Sequence, residues 1–244
     1  MGTLTEQMQA LIDYSNETTG ESDTTLSGAI DTLVAGYGGG SSDTLYLYPY
    51  NNSTIPEFTY TNVGSVNKVI IECNNITITG KSFSSGLQNT SGTLEVVYQN
   101  ASNVIMGTSS FDYCNCNLVV DCGGAKIPAG NTGGAYIARH RSTGYTLIIK
   151  NIDVSLCKVI GAYSGDPRSI DFYPIGTTTS DITEITCCTS TIATLDSFAR
   201  FFECLYDFSG TGTTANIAIG TENYNALSAD VIAIATNKGW TIND

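Results

Sequence analysis

Two periods divide this chain. In residues 3–36 the apolar positions fall at helical spacing. Leu4, Met8, Leu11 and Ile12 lie at i, i+4, i+7 and i+8, and Leu26, Ile30, Leu33 and Val34 repeat that spacing. Thr3 with Glu6 three residues on forms a capping box, and Gly36 is placed to stop the second helix. The polar run Ser15–Asp23 separates the two stripes. The spacing predicts a helical hairpin over 1–37. Helices of about 10–12 residues are marginal alone. The eight stripe residues must therefore dock on the rest of the chain, on copies of it, or on a larger assembly. Tyr37-Gly38-Gly39-Gly40-Ser41-Ser42 opens a flexible linker over 38–44. A small apolar module on a glycine linker is the layout of an anchor. An ordinary helical cap on the same domain fits the same stripes.

From residue 45 the helical period gives way to short extended runs. Leu45–Tyr50 alternates Leu and Tyr before Pro49. The runs Lys68–Ile71, Ile76–Ile78, Leu94–Val97, Leu118–Val120, Leu147–Ile149, Ile182–Ile185 and Ile217–Ile219 follow, separated by Asn, Gly and Thr. Val69, Leu94, Leu118 and Leu147 stand 25, 24 and 29 residues apart. A recurrence of that length belongs to a β-solenoid with one strand per coil. A β-sandwich fits less well, because its turns come every 8–12 residues or so. Near the end Ser228 caps a helix running from Ala229 to about Asn237, Gly239 stops it, and Trp240-Thr241-Ile242 is a final strand. The expected fold class is mainly β: a solenoid body over 45–244, a two-helix N-terminal appendage and a C-terminal capping helix.

Charge sharpens the division. The 244 residues carry net charge −13, and only 14% are charged. Residues 1–67 hold eight acids and no Lys or Arg, whereas 126–168 hold six bases and two acids. So acidic a chain repels phosphate, which argues against nucleic acid as a partner. No apolar run reaches the roughly 18 residues of a membrane span. The 41% hydrophobic content exceeds that of a disordered chain. Met1–Glu6 shows neither a basic n-region nor an apolar h-segment, so the expectation is a product made without a cleaved signal.

Eight cysteines lack Cys-x-x-Cys spacing, and His140 is the only histidine. That pattern offers no metal set. Several cysteines sit beside apolar runs, as in Ile70-Ile71-Glu72-Cys73, so buried free thiols are expected, with disulfides as the alternative.

Candidate chemistry is sparse. Asp166, Asp171 and Asp181 are carboxylates of the kind that cleave glycosidic bonds. Arg139-His140-Arg141 could bind an anion or move a proton. Tyr46, Tyr48 and Tyr50 share one side if they lie on one strand, and tyrosine rings suit interfaces and sugar stacking. No nucleophile elbow or phosphate-cradling glycine loop accompanies them. The reading is of a chain with no catalytic residue and no cofactor. Its contact candidates are Tyr46, Tyr48, Tyr50, Arg139 and Arg141.

Two segments carry a resemblance. Leu4-Thr5-Glu6-Gln7 through Asp23 to Gly38, with Leu26, Ala29-Ile30, Leu33-Val34 and Gly36-Tyr37 ahead of further glycines, resembles the N-terminal module of phage and prophage structural proteins of Firmicutes. Asp230 through Ile242 is similar to the closing turn of irregular leucine-rich repeats in gut-bacterial surface proteins and phage proteins. Together they cover about a fifth of the chain. The resemblance implies a leucine-rich-repeat-like body and a place on the virion surface. The helices would anchor on other virion proteins, and the body would be displayed as a capsid decoration, head fibre, tail fibre or baseplate adhesin. It also implies a homo-oligomer, with host surface glycan as a further partner. A glycan- or host-binding module of a bacterial surface protein and a glycan-degrading β-helix are the alternatives.

Overall fold

The computed structural model describes residues 9, 12–13, 44–47, 54–55, 67–73, 78–79, 92–106, 116–127, 138–140, 146–160, 162–164, 170–188 and 193–244. The chain divides into two compact units, Met1–Tyr46 and Leu47–Asp244. In the first, Gln9, Ile12 and Asp13 are helical, Ile12 is buried, and Gln9 Nε2 donates to Asp13 Oδ1 at 2.8 Å. Of the predicted anchoring stripe, Leu4, Met8, Leu11, Leu26, Ile30, Leu33 and Val34 lie outside the described residues. Strand β1 (Thr44–Leu47) spans the boundary.

The larger unit is built on parallel strands. Strands β3 (Lys68–Glu72), β5 (Thr93–Gln99), β6 (Asn117–Asp121), β8 (Leu147–Asp153) and β11 (Ile170–Ile175) form one sheet in that spatial order. Every one of these pairings is parallel. The register explains the sequence period. Leu94, Leu118, Leu147 and Ile170 are direct neighbours, as are Val69, Val96, Val120, Ile149 and Phe172. All nine are buried. Alternate residues of a strand point to one face, so both rows pack into a single apolar layer.

A second parallel sheet has the order β14 (Trp240–Asn243), β13 (Ala215–Ala218), β12 (Glu184–Cys187), β9 (Val159–Ile160). Its buried row is Ile185, Ile217 and Ile242. Two parallel ribbons complete the strands: β2 (Thr54–Ile55) with β4 (Ile78–Thr79), and β7 (Ala138–His140) with β10 (Ala162–Ser164).

Three helices lie among the late strands: α1 (Leu195–Glu203), α2 (Thr221–Ala226) and α3 (Ala229–Thr236). Helix α1 packs on β11 and against α3, and α3 packs on β14. Its apolar face is Phe198, Phe201 and Phe202. Phe172 meets Phe198 and Phe201 edge-on, with centroids 6.3 and 5.9 Å apart. Edge-to-face contact suits the ring quadrupoles.

This architecture corrects the expected fold class. The described residues are not a mainly β, leucine-rich-repeat-like solenoid. They form two parallel sheets, of five and four strands, together with helices, an α/β-like mix. The finding that overturns the expectation is the helical content after β12. Phe198, Phe201, Phe202 and Leu205 recur at steps of three, one and three, a helical face and not a strand alternation. The predicted C-terminal helix and strand are found as α3 and β14.

Candidate functional site

The densest polar cluster among the described residues joins the end of the first sheet to α1. Asp171 and Tyr173 occupy alternate positions of β11, so both leave the apolar face that Phe172 fills. Thr194 is the N-cap of α1 and accepts from the Ser197 amide at 3.2 Å through Oγ1. One helical turn brings Ser197 and Arg200 to the same face, and that face meets β11.

Asp171 is the hub. Its Oδ1 accepts from the Ser197 hydroxyl, from Thr194 Oγ1 at 2.9 Å and from Arg200 Nη2 at 2.7 Å. Its Oδ2 accepts from the Tyr173 hydroxyl at 3.0 Å. The guanidinium of Arg200 lies 3.8 Å from the centre of the Tyr173 ring, a cation–π contact. Partial burial of Asp171 opposes its ionisation. The hydrogen bonds from Ser197, Thr194 and Tyr173, with the Arg200 charge, outweigh that burial and hold the carboxyl below its ordinary range.

This chemistry is that of a fixed anion. A carboxylic acid that protonates a glycosidic oxygen needs a raised pKa, whereas Asp171 is shifted downward with four donors on its oxygens. Asp181 stands apart from the cluster and is exposed. Hydrogen bonding from Thr179 is the main cause of its own downward shift. Asp166 lies outside the described residues. Both described carboxylates are shifted in the direction of the ionised form, the direction opposite to that of a glycosidase's general acid.

Of the other candidates, three lie among the described residues or on a described strand. Tyr46 is on β1, while Tyr48, Tyr50 and Arg141 lie outside the described residues. Arg139 and His140 are on β7, whose His140 pairs with Ser164 of β10. Among the described residues no three His, Cys, Asp or Glu side chains could hold a metal ion together. None of the described helices is long and apolar enough to cross a membrane. The residues that sequence reading passed over are Tyr173, Thr194, Ser197 and Arg200. A signal was present: Thr194, Asp196 in the first turn and Arg200 in the last mark a capped helix.

The outer rows of the first sheet mix charged and apolar residues, and the first has a charge at each end. Lys68, Glu95, Val119, Ile148 and Asp171 form one, and Ile70, Val97, Asp121, Lys150 and Tyr173 the next. Lys68 Nζ and Glu95 Oε2 pair at 3.0 Å at one end, and Asp171 and Arg200 pair at the other. Half-buried Val119 and Ile148 lie between them. Each charge at the ends of the first row has a local counter-charge, so the face offers shape and apolar surface more than net field.

No family model, curated protein or solved structure matches the chain.

Proposed function

We propose that the chain is a non-enzymatic accessory structural protein of a phage virion, carried on the particle surface. Met1–Tyr46 attaches it to other virion proteins, and Leu47–Asp244 is displayed as a capsid decoration, head fibre, tail fibre or baseplate adhesin. The observation that carries this reading is the division at Tyr46/Leu47. The smaller unit holds seven acids and no Lys or Arg, while the larger has two registered sheets with their own buried rows. The resemblance of residues 23–38 to phage structural modules supplies the particle. The saturated Asp171 cluster supports a body whose polar groups hold structure.

Deleting residues 1–46 tests the reading. The expected product is a folded body that fails to enter particles when supplied during infection, where the full chain enters them. Incorporation of the truncated chain at the full-length level overturns the reading.

One observation favours the alternative of a glycan-binding bacterial surface module. Tyr173 is 38% exposed, and its ring is held by Asp171 and Arg200. A fixed aromatic suits sugar stacking. Under that reading, Tyr173→Ala abolishes retention of the body on host wall polysaccharide without changing particle entry.

A further inference from the structure

Strand β11 ends the five-stranded sheet, and an end strand presents unpaired N–H and C=O groups to any extended chain that approaches. In a parallel ladder the backbone groups of alternate residues serve one side. The outward residues of β11 are Ile170, Phe172 and Pro174. Each is closed by a different device. The Ile170 carbonyl accepts from the Thr194 amide at 3.2 Å, where the single parallel bridge Ile170–Ala193 begins a further strand. That strand goes no further, because the chain turns into α1. Side chains then take over from backbone. Ser197 Oγ accepts the Phe172 N–H at 2.9 Å, and Arg200 Nε donates to the Phe172 carbonyl at 3.2 Å. Pro174 has no N–H to offer. The same Ser197 and Arg200 side chains are fixed by Asp171, so the carboxylate holds both substitutes in place at once.

We infer that α1 guards this sheet edge: Ser197 and Arg200 stand in for the next strand, and the partner they keep off is β11 of a second copy of this chain. The inference is independent of any role on a virion. It assigns the Asp171 cluster a purpose that catalysis does not. It also explains why Ser197 is fully buried yet polar: its hydroxyl accepts from the strand on one side and donates to the carboxylate on the other.

The test uses the full chain carrying Ser197→Ala with Arg200→Met. Amide hydrogen exchange is read at Phe172, with Val120 and Ile149 of the sheet interior as references, and sedimentation is followed over a wide range of protein concentration. The expected result is faster exchange at Phe172 with the two references unchanged, and self-association beyond the wild-type state that grows with concentration. Adding Pro174→Thr, which restores an N–H to the edge, strengthens that association. Unchanged protection at Phe172 overturns the inference. So does an opened Phe172 without added association even when Pro174→Thr is present. If Val120 and Ile149 also lose protection, the double variant has unfolded, and Ser197→Ala alone decides between the same two outcomes, because it removes the acceptor of the Phe172 N–H and leaves Arg200 in place.

Discussion

Burial governs the chemistry of the individual thiols. All seven described cysteines are free; Cys73, Cys116, Cys122, Cys157, Cys187 and Cys188 are buried, and Cys204 is half-buried. Burial, with the nearby Glu72 carboxylate, pushes the Cys73 thiol up to about 12. Burial also raises Cys122, Cys157 and Cys187. A thiol raised in the fold contributes stability that is fully present below its unfolded pKa of about 8.5 and is lost as pH climbs from there through the folded value. Unfolding free energy is therefore expected to fall steadily above that pH, by on the order of 1 kcal/mol per pH unit for each fully buried thiol, and melting temperature falls with it. A thiol reagent should label Cys122 and Cys157 only as the protein unfolds. Flat melting temperature into strong alkali, or rapid labelling of these two in the native state, contradicts this assignment. Asp171, lowered in the fold, acts in the opposite sense: its contribution is present above the ordinary carboxyl range and is lost as pH falls through its folded value. Free thiols were legible from Cys beside apolar runs. The Asp171 partners were not, because Thr194, Ser197 and Arg200 lie 23–29 residues away in sequence.

At the scale of elements, the two capped helices differ in what their caps do. Ser228 accepts from the Val231 amide at 3.3 Å at an exposed site and makes a local cap. Thr194 caps α1 and also donates to Asp171. Ser228→Ala should cost about 1 kcal/mol, in the ordinary range for an N-cap. Thr194→Ala should cost about 2–3 kcal/mol, because a partly buried carboxylate loses a donor as well. Urea denaturation of the two variants checks the order, and equal losses would remove Thr194 from the network. Helix α3 and strand β14 were legible because their signals are local: Ser228, Asp230, and Gly239 at φ +80°. A Cβ at Gly239 would come within 3.1 Å of the Phe208 backbone, so that turn needs glycine on two grounds. Strand β11 was not legible as a strand. Asp171 and Pro174 interrupt its apolar residues, and its outward edge is satisfied by a helix that sequence spacing does not place beside it.

For the whole molecule, the sheets rest on pairings far apart along the chain. Leu118 sits between Leu94 and Leu147, 24 and 29 residues away, and is fully buried. These contacts lie within the larger unit, so residues 47–244 alone should melt within a few degrees of the full chain and keep its far-ultraviolet circular dichroism per residue in the strand region. A body that needs residues 1–46 to fold would show instead as a large loss of melting temperature, and would refute the independence of the two units. What the sequence alone determined was local or periodic: the apolar runs that became β3, β5, β6, β8, β12 and β13, the leucine spacing that became register, the capped helix before the last strand, and the base-free acidic stretch at the start. Each is written in adjacent residues or in a fixed interval. Only the tertiary structure decided that these strands divide between two parallel sheets, that a helix takes the place beside β11, and that Thr194, Ser197, Arg200 and Tyr173 gather on the Asp171 carboxylate. Those outcomes depend on which distant side chains satisfy a backbone edge or a buried charge, and such satisfaction exists only once the chain has folded.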